Sequence, residues 1–89
     1  MVSGAFQICE QEGDSPLSAF VELKRSLAAS GQDDGPLFRS ELGSMAMWAE
    51  DVPSDYMRVA ERSIREHAPE EGVALWCSFG GDLHVFGAR

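Results

Sequence analysis

The C-terminal third constrains this chain more than any other stretch. Val73-Ala74-Leu75-Trp76-Cys77-Ser78-Phe79 alternates apolar and small or polar residues, Gly80-Gly81-Asp82 interrupts it, and Leu83-His84-Val85-Phe86 resumes the alternation. Two alternating runs across a glycine-rich break read as a β-hairpin. If Val73, Leu75, Cys77 and Phe79 face a core, Leu83 and Val85 must join them. That places Phe79 opposite Leu83 and requires a three-residue loop with a glycine in the left-handed region. Trp76 then stands opposite Phe86, and Ser78 opposite His84, on the other face.

The same reasoning runs upstream with less constraint. Ala5-Phe6-Gln7-Ile8-Cys9-Glu10 reads as a strand with Phe6 and Ile8 inward. Ser15 can cap a helix and Pro16 suits its first turn, so a helix is predicted from about Pro16 to Ser30, stopped by Gly31. Its apolar stripe is Leu17, Phe20, Val21, Leu23, Leu27 and Ala28. Pro53-Ser54-Asp55 opens a second helix that Pro69 ends. Met57, Ala60, Ile64 and Ala68 line one of its sides, and Glu61 and Arg65 are spaced to pair. The stretch Leu37–Val52 supports two readings. With period two it is a strand Leu37–Leu42, a turn at Gly43-Ser44 and a strand Met45–Glu50; with period 3.6 it is a helix from Pro36. The hairpin reading makes the fold class α+β, a two-layer sandwich of order β-α-β-β-α-β plus a C-terminal hairpin strand. That resembles the ferredoxin-like layout, and no motif goes further. The helical reading makes it β-α-α-α-β-β.

Composition narrows the function. The 89 residues are expected to form a single compact domain, residues 1–89, and a hydrophobic share of 44% is too high for disorder. Fifteen acidic against seven basic side chains leave a formal charge of −8, which repels phosphate backbones and anionic lipid. Direct nucleic-acid binding and membrane association are therefore not expected. No run approaches a membrane span and no secretion signal is visible, so a cytoplasmic setting is the default. Cys9 and Cys77 fall on opposite faces of the expected sheet, and two free thiols follow.

The motifs that could carry chemistry all have simpler explanations. Gly13-Asp14-Ser15 resembles a hydrolase nucleophile motif, but Ser15 is accounted for as a helix cap and the downstream Asp-x-x-His is missing. Gly80-Gly81-Asp82 resembles the turn of nucleotide cyclases, but Leu83 stands where an acid is needed. Ser78, Asp82 and His84 lie close along one hairpin, yet an open sheet face supplies no oxyanion donors. His67, His84 and the two cysteines show no metal-ligand spacing. No enzyme activity, cofactor or metal is expected.

What remains is a surplus of apolar residues. On a two-layer sandwich the uncovered sheet face would carry Trp76, Phe86 and His84, with Cys9 and either Trp48 or Met47 beside them and Asp82 on the rim. An exposed aromatic patch with an acidic rim marks a protein-docking surface. The expected function is a small acidic, non-enzymatic protein-binding module docking on a basic partner surface. Inhibitors, antitoxin or immunity proteins and phage anti-defence proteins share its size and charge. A homodimeric small-ligand-binding or accessory-subunit domain is the alternative.

Overall fold

The computed structural model describes residues 6–49, 56–67 and 70–89, with side chains outside 44–57. In chain order the elements are β1 (Gln7–Glu12), α1 (Pro16–Ala29), α2 (Pro36–Arg39), β2 (Glu41–Ala49), α3 (Tyr56–His67), β3 (Val73–Phe79) and β4 (Leu83–Ala88). The class is α+β, with a four-stranded mixed sheet ordered β1-β4-β3-β2.

The hairpin forms with the expected register. Trp76 pairs with Phe86, Ser78 with His84 and Phe79 with Leu83. Gly80 and Gly81 both take positive φ, +64° and +88°, where a side chain would be strained. Helix α1 begins as anticipated. Ser15 Oγ accepts from the Ser18 amide at 3.2 Å, and Ser18 Oγ accepts in return from the Ser15 amide, closing a capping box. At its other end the Gln32 amide donates to Leu27 O and the Gly31 amide to Ala28 O, the paired bonds of a Schellman stop.

The middle of the chain departs from both readings. Residues 36–39 make one helical turn, and 41–49 make one strand rather than two. Gly43-Ser44 looked like a turn because it sits in a bulge. β2 advances four residues, from Leu42 to Ala46, while β3 advances two, from Ala74 to Trp76. The indole Nε1–H of Trp76 donates to the Gly43 carbonyl at 3.3 Å and satisfies part of the disturbed ladder.

This single strand changes the architecture. With β2 and β3 parallel and joined through α3, the ferredoxin-like order β-α-β-β-α-β is replaced by β-α-α-β-α-β-β. β1 pairs with the last strand, Gln7 opposite Ala88 and Glu12 opposite Leu83, rather than with β3. The two-layer expectation fails with it, because the long helices lie on opposite faces. Ala19, Phe20, Leu23 and Leu27 of α1 pack with Leu37, Ala74, Phe86 and Ala88, while Ala60 and Ile64 of α3 pack with Leu75, Cys77, Phe79 and Val85. A parallel β-α-β unit needs a crossover over one face. Here α1 occupies the other.

Two close approaches hold these layers. The Phe20 and Phe86 rings lie 5.1 Å apart, tilted by 39°. At Gly87 a Cβ would come within 2.6 Å of Ile64 Cγ2, so a residue without a side chain lets α3 settle onto β4. The expected apolar stripe of α1 is shifted: Ala19 is buried, whereas Leu17 and Val21 are 62% and 49% exposed. Ser54, Ala68 and Pro69 lie outside the described residues, as does the side chain of Met57. Glu61 and Arg65 approach to 3.9 Å.

Candidate protein-docking surface

The aromatic patch expected on an open sheet face does not exist as a surface. Phe86 is fully buried beneath α1, His84 is 2% exposed with its ring 6.4 Å from that of Phe86, and Trp76 is half-buried against the same cluster as Phe86. Burying them is what a second covered face accomplishes: two aromatics opposed across a hairpin need a lid, and Phe20 of α1 supplies it. Trp48 is placed by its backbone pairing with Ser78, and its side chain lies outside the described residues. Of the residues assigned to the patch, Asp82 alone is exposed among those whose side chains are described.

His84 and Ser78 instead form a buried polar network. A carbonyl oxygen only accepts, so the 3.0 Å contact between His84 Nε2 and Gly13 O puts the proton on Nε2. In a neutral ring Nδ1 is then bare and accepts from the Ser78 hydroxyl at 2.7 Å. Hydroxyl, imidazole and an orienting acceptor in a row have the connectivity of a nucleophile–base–orienter chain. Ser78 is only 1% exposed, however, and no buried side-chain polar atom among the described residues lacks a partner. The geometry serves to fasten Gly13, whose amide in turn donates to Asp82 O at 2.9 Å. Asp82, the third member considered from sequence, contributes that backbone carbonyl.

Fastening Gly13 shapes the surface around it. Glu12 and Asp14 flank it and Asp82 lies across the hydrogen bond, so three exposed carboxylates gather where β1 ends and the β3–β4 turn reverses. A shallow groove of about 390 Å³ runs alongside, lined by Glu10, Gln11, Glu12 and Leu83. Leu17 begins the exposed apolar ridge of α1 three residues beyond Asp14, and Val21 continues it one turn later. Sequence periodicity had placed Leu17 and Val21 in the core. The signal that could have separated them is the width of the stripe, since a helix packed by one side on a sheet buries about 100° and this one spans more.

No family model, curated protein or solved structure matches the chain. Among the described residues no group of three or more His, Cys, Asp or Glu is arranged to hold a metal ion. No helix among them is long and apolar enough to cross a membrane. Cys9 is half-buried on the α1 face and Cys77 buried on the α3 face, both as free thiols. Burial raises both above the ordinary thiol range.

Proposed function

We propose that the protein is a small acidic, non-enzymatic binding module that docks in the cytoplasm on a basic surface of a partner protein. The observation carrying this reading is that exposed Asp14 and, across the Gly13–Asp82 hydrogen bond, exposed Asp82 stand at the start of α1, whose outer side exposes Leu17 and Val21, with Glu12 on the far edge of the same turn. An apolar strip provides the desolvated contact, and acids at its edge speed encounter with a basic target and set its orientation. The non-enzymatic part is supported by the burial of Ser78 and His84, the pair with the most catalytic connectivity among the described side chains. Inhibitor, immunity or antitoxin and anti-defence roles all work by such occlusion.

The test is capture from native extract with the tagged wild-type chain beside two variants. Leu17→Asp with Val21→Asp removes the apolar ridge; Glu12→Lys with Asp14→Lys and Asp82→Lys reverses the rim. A stoichiometric basic partner lost from both variants, and weakened by added salt, supports the reading. Retention of the same partner by both variants refutes the surface, and an eluate holding the bait alone refutes the module.

A further inference from the structure

The opposite end of the sheet has the opposite electrostatic character. A cavity of about 310 Å³ opens where α2, the turn before β3 and the end of β4 meet, lined by Pro36, Arg39, Glu71, Gly72 and Arg89. That volume is at the lower end of small-molecule sites. Two of the seven basic side chains in a chain of formal charge −8 line this one cavity, against the single acidic side chain of Glu71, so its side-chain charges sum to +1. Neither guanidinium lies within salt-bridge distance of a carboxylate among the described residues.

The walls are tied in place by the fold. Arg39 is the last residue of α2, whose Leu37 is fully buried and donates from its amide to Gln7 Oε1 at 3.0 Å. The next residue, Ser40, bonds back to Leu37 O through its hydroxyl at 2.9 Å, and its carbonyl accepts from Lys24 Nζ at 2.7 Å. The Glu41 amide donates to Gly72 O at 3.0 Å, which fixes the Gly72 wall against the exit of α2. Arg89 follows Ala88, which is fully buried and pairs with Gln7. Gly72 has φ +86° and no heavy atom within 4 Å of where a Cβ would stand, so ligand atoms can approach its backbone closely.

We propose that this cavity binds a small molecule through an oxyanion group, carboxylate or phosphate, held between Arg39 and Arg89 over the open backbone of Gly72. Guanidinium forks match the planar or tetrahedral array of acceptor oxygens that such groups present, and the pairing is charge-assisted. The chain's acidity does not prevent it. At physiological ionic strength the screening length is about 8 Å, so distant carboxylates count for little beside two guanidiniums in contact. Glu71 is the exception, because it lines the same cavity, and it should weaken an anion. The docking surface proposed above lies at the far ends of β1 and β4, so the two ideas stand or fall separately.

The experiment is a titration of the full ¹⁵N-labelled chain with inorganic phosphate, and separately with acetate, at constant ionic strength. The Gly72 amide and the Nε–H groups of Arg39 and Arg89 are followed. The expected result is saturable shifts confined to these groups, with phosphate saturation alone assigning a phosphate ligand, acetate saturation alone a carboxylate, and both a general oxyanion site. Arg39→Gln and Arg89→Gln should each weaken binding roughly fivefold or more, about the loss of one charge-assisted pair. Glu71→Gln should tighten it, and Arg62→Gln, exposed on α3, should leave it unchanged. All four positions are exposed, and the dispersion of the amide spectrum reports whether each variant is folded. Shifts that do not saturate, that spread equally over Arg58, Arg62 and Arg65, or that persist unchanged in both arginine variants overturn the proposal.

Discussion

Ser78→Ala, His84→Leu and their combination test whether the buried network holds the end of the sheet together. In the wild-type chain the Ser78 hydroxyl donates to His84 Nδ1 at 2.7 Å and His84 Nε2–H donates to Gly13 O at 3.0 Å. Ser78→Ala removes a small group but strands Nδ1 as a buried acceptor with no donor, a cost of about 1–3 kcal/mol. His84→Leu strands both the Ser78 hydroxyl and the Gly13 carbonyl, and the poorer fit of the new side chain adds to it, for about 2–4 kcal/mol. The double variant leaves no Nδ1 and no Ser78 hydroxyl to be orphaned. It should be less destabilised than the sum of the singles by about 1–2 kcal/mol.

Urea unfolding followed by tryptophan fluorescence measures all three, since Trp76 packs against this cluster. For a domain of this length 1 kcal/mol moves Tm by about 4–8 °C, so even the single serine change should be visible in a melt. Hydrogen exchange gives a local readout. The Gly13 amide, bonded to Asp82 O, should exchange faster in His84→Leu than the amides of β3 do. Partner capture by that variant should weaken as well, because Gly13 carries Glu12 and Asp14 on either side. A Ser78→Ala cost under about 0.5 kcal/mol, or strict additivity of the pair, would refute the reasoning. Either result would mean that the hydroxyl and the ring are satisfied by water rather than by each other.

Other perturbations probe separate joints. Gly87→Ala puts a Cβ within 2.6 Å of Ile64 Cγ2 and about 3.1 Å of the Phe6 ring, and should cost about 1–3 kcal/mol in urea unfolding, partly recovered by Ile64→Val. Ser15→Ala removes the capping oxygen at 3.2 Å from the Ser18 amide and should cost about 1 kcal/mol, with exchange accelerated in the first turn of α1. Burial raises both thiols, so the folded chain holds their protons more tightly than the unfolded one. That contribution is fully present below the ordinary thiol pKa of about 8.5 and is lost as pH rises through and above it. Urea midpoints should therefore hold steady below that pKa and fall as pH rises above it, and fall less in Cys77→Ala. In the native state a thiol reagent should modify half-buried Cys9 before buried Cys77.

Much of the fold was legible where local chemistry dictates the answer. The register of β3 and β4 follows from period two and a glycine loop, and α1 follows from Ser15, Pro16 and Gly31. These devices act within a few residues, so one sequence contains them whole. The same holds for Cys9 and Cys77, whose separation needs only the alternation of a sheet and the inward face of Phe6 and Ile8. What was not legible is non-local. Gly43-Ser44 has the composition of a turn and serves as a bulge, and only its pairing with β3 decides between them.

The candidate site followed from that one ambiguity. A hairpin at 37–50 would keep both long helices on one face and leave Trp76, His84 and Phe86 open; a single strand parallel to β3 sends α3 to the opposite face and frees α1 to cover them. The large apolar residues exposed among the described ones are Leu17 and Val21 on the outer side of α1 and Val59 on α3, not the aromatics of the sheet. Asp82 keeps its place in the β3–β4 turn, whereas Glu12, at the end of β1, and Asp14 join it only through the non-local bond from the Gly13 amide to Asp82 O. His84 keeps a part in that surface through the Gly13 carbonyl it holds rather than through anything it could touch itself. A polar residue on a strand is thus read as an exposed docking residue when the helix that covers its face is not foreseen. Alternation tells which residues share a face, whereas only the crossover tells what lies over it.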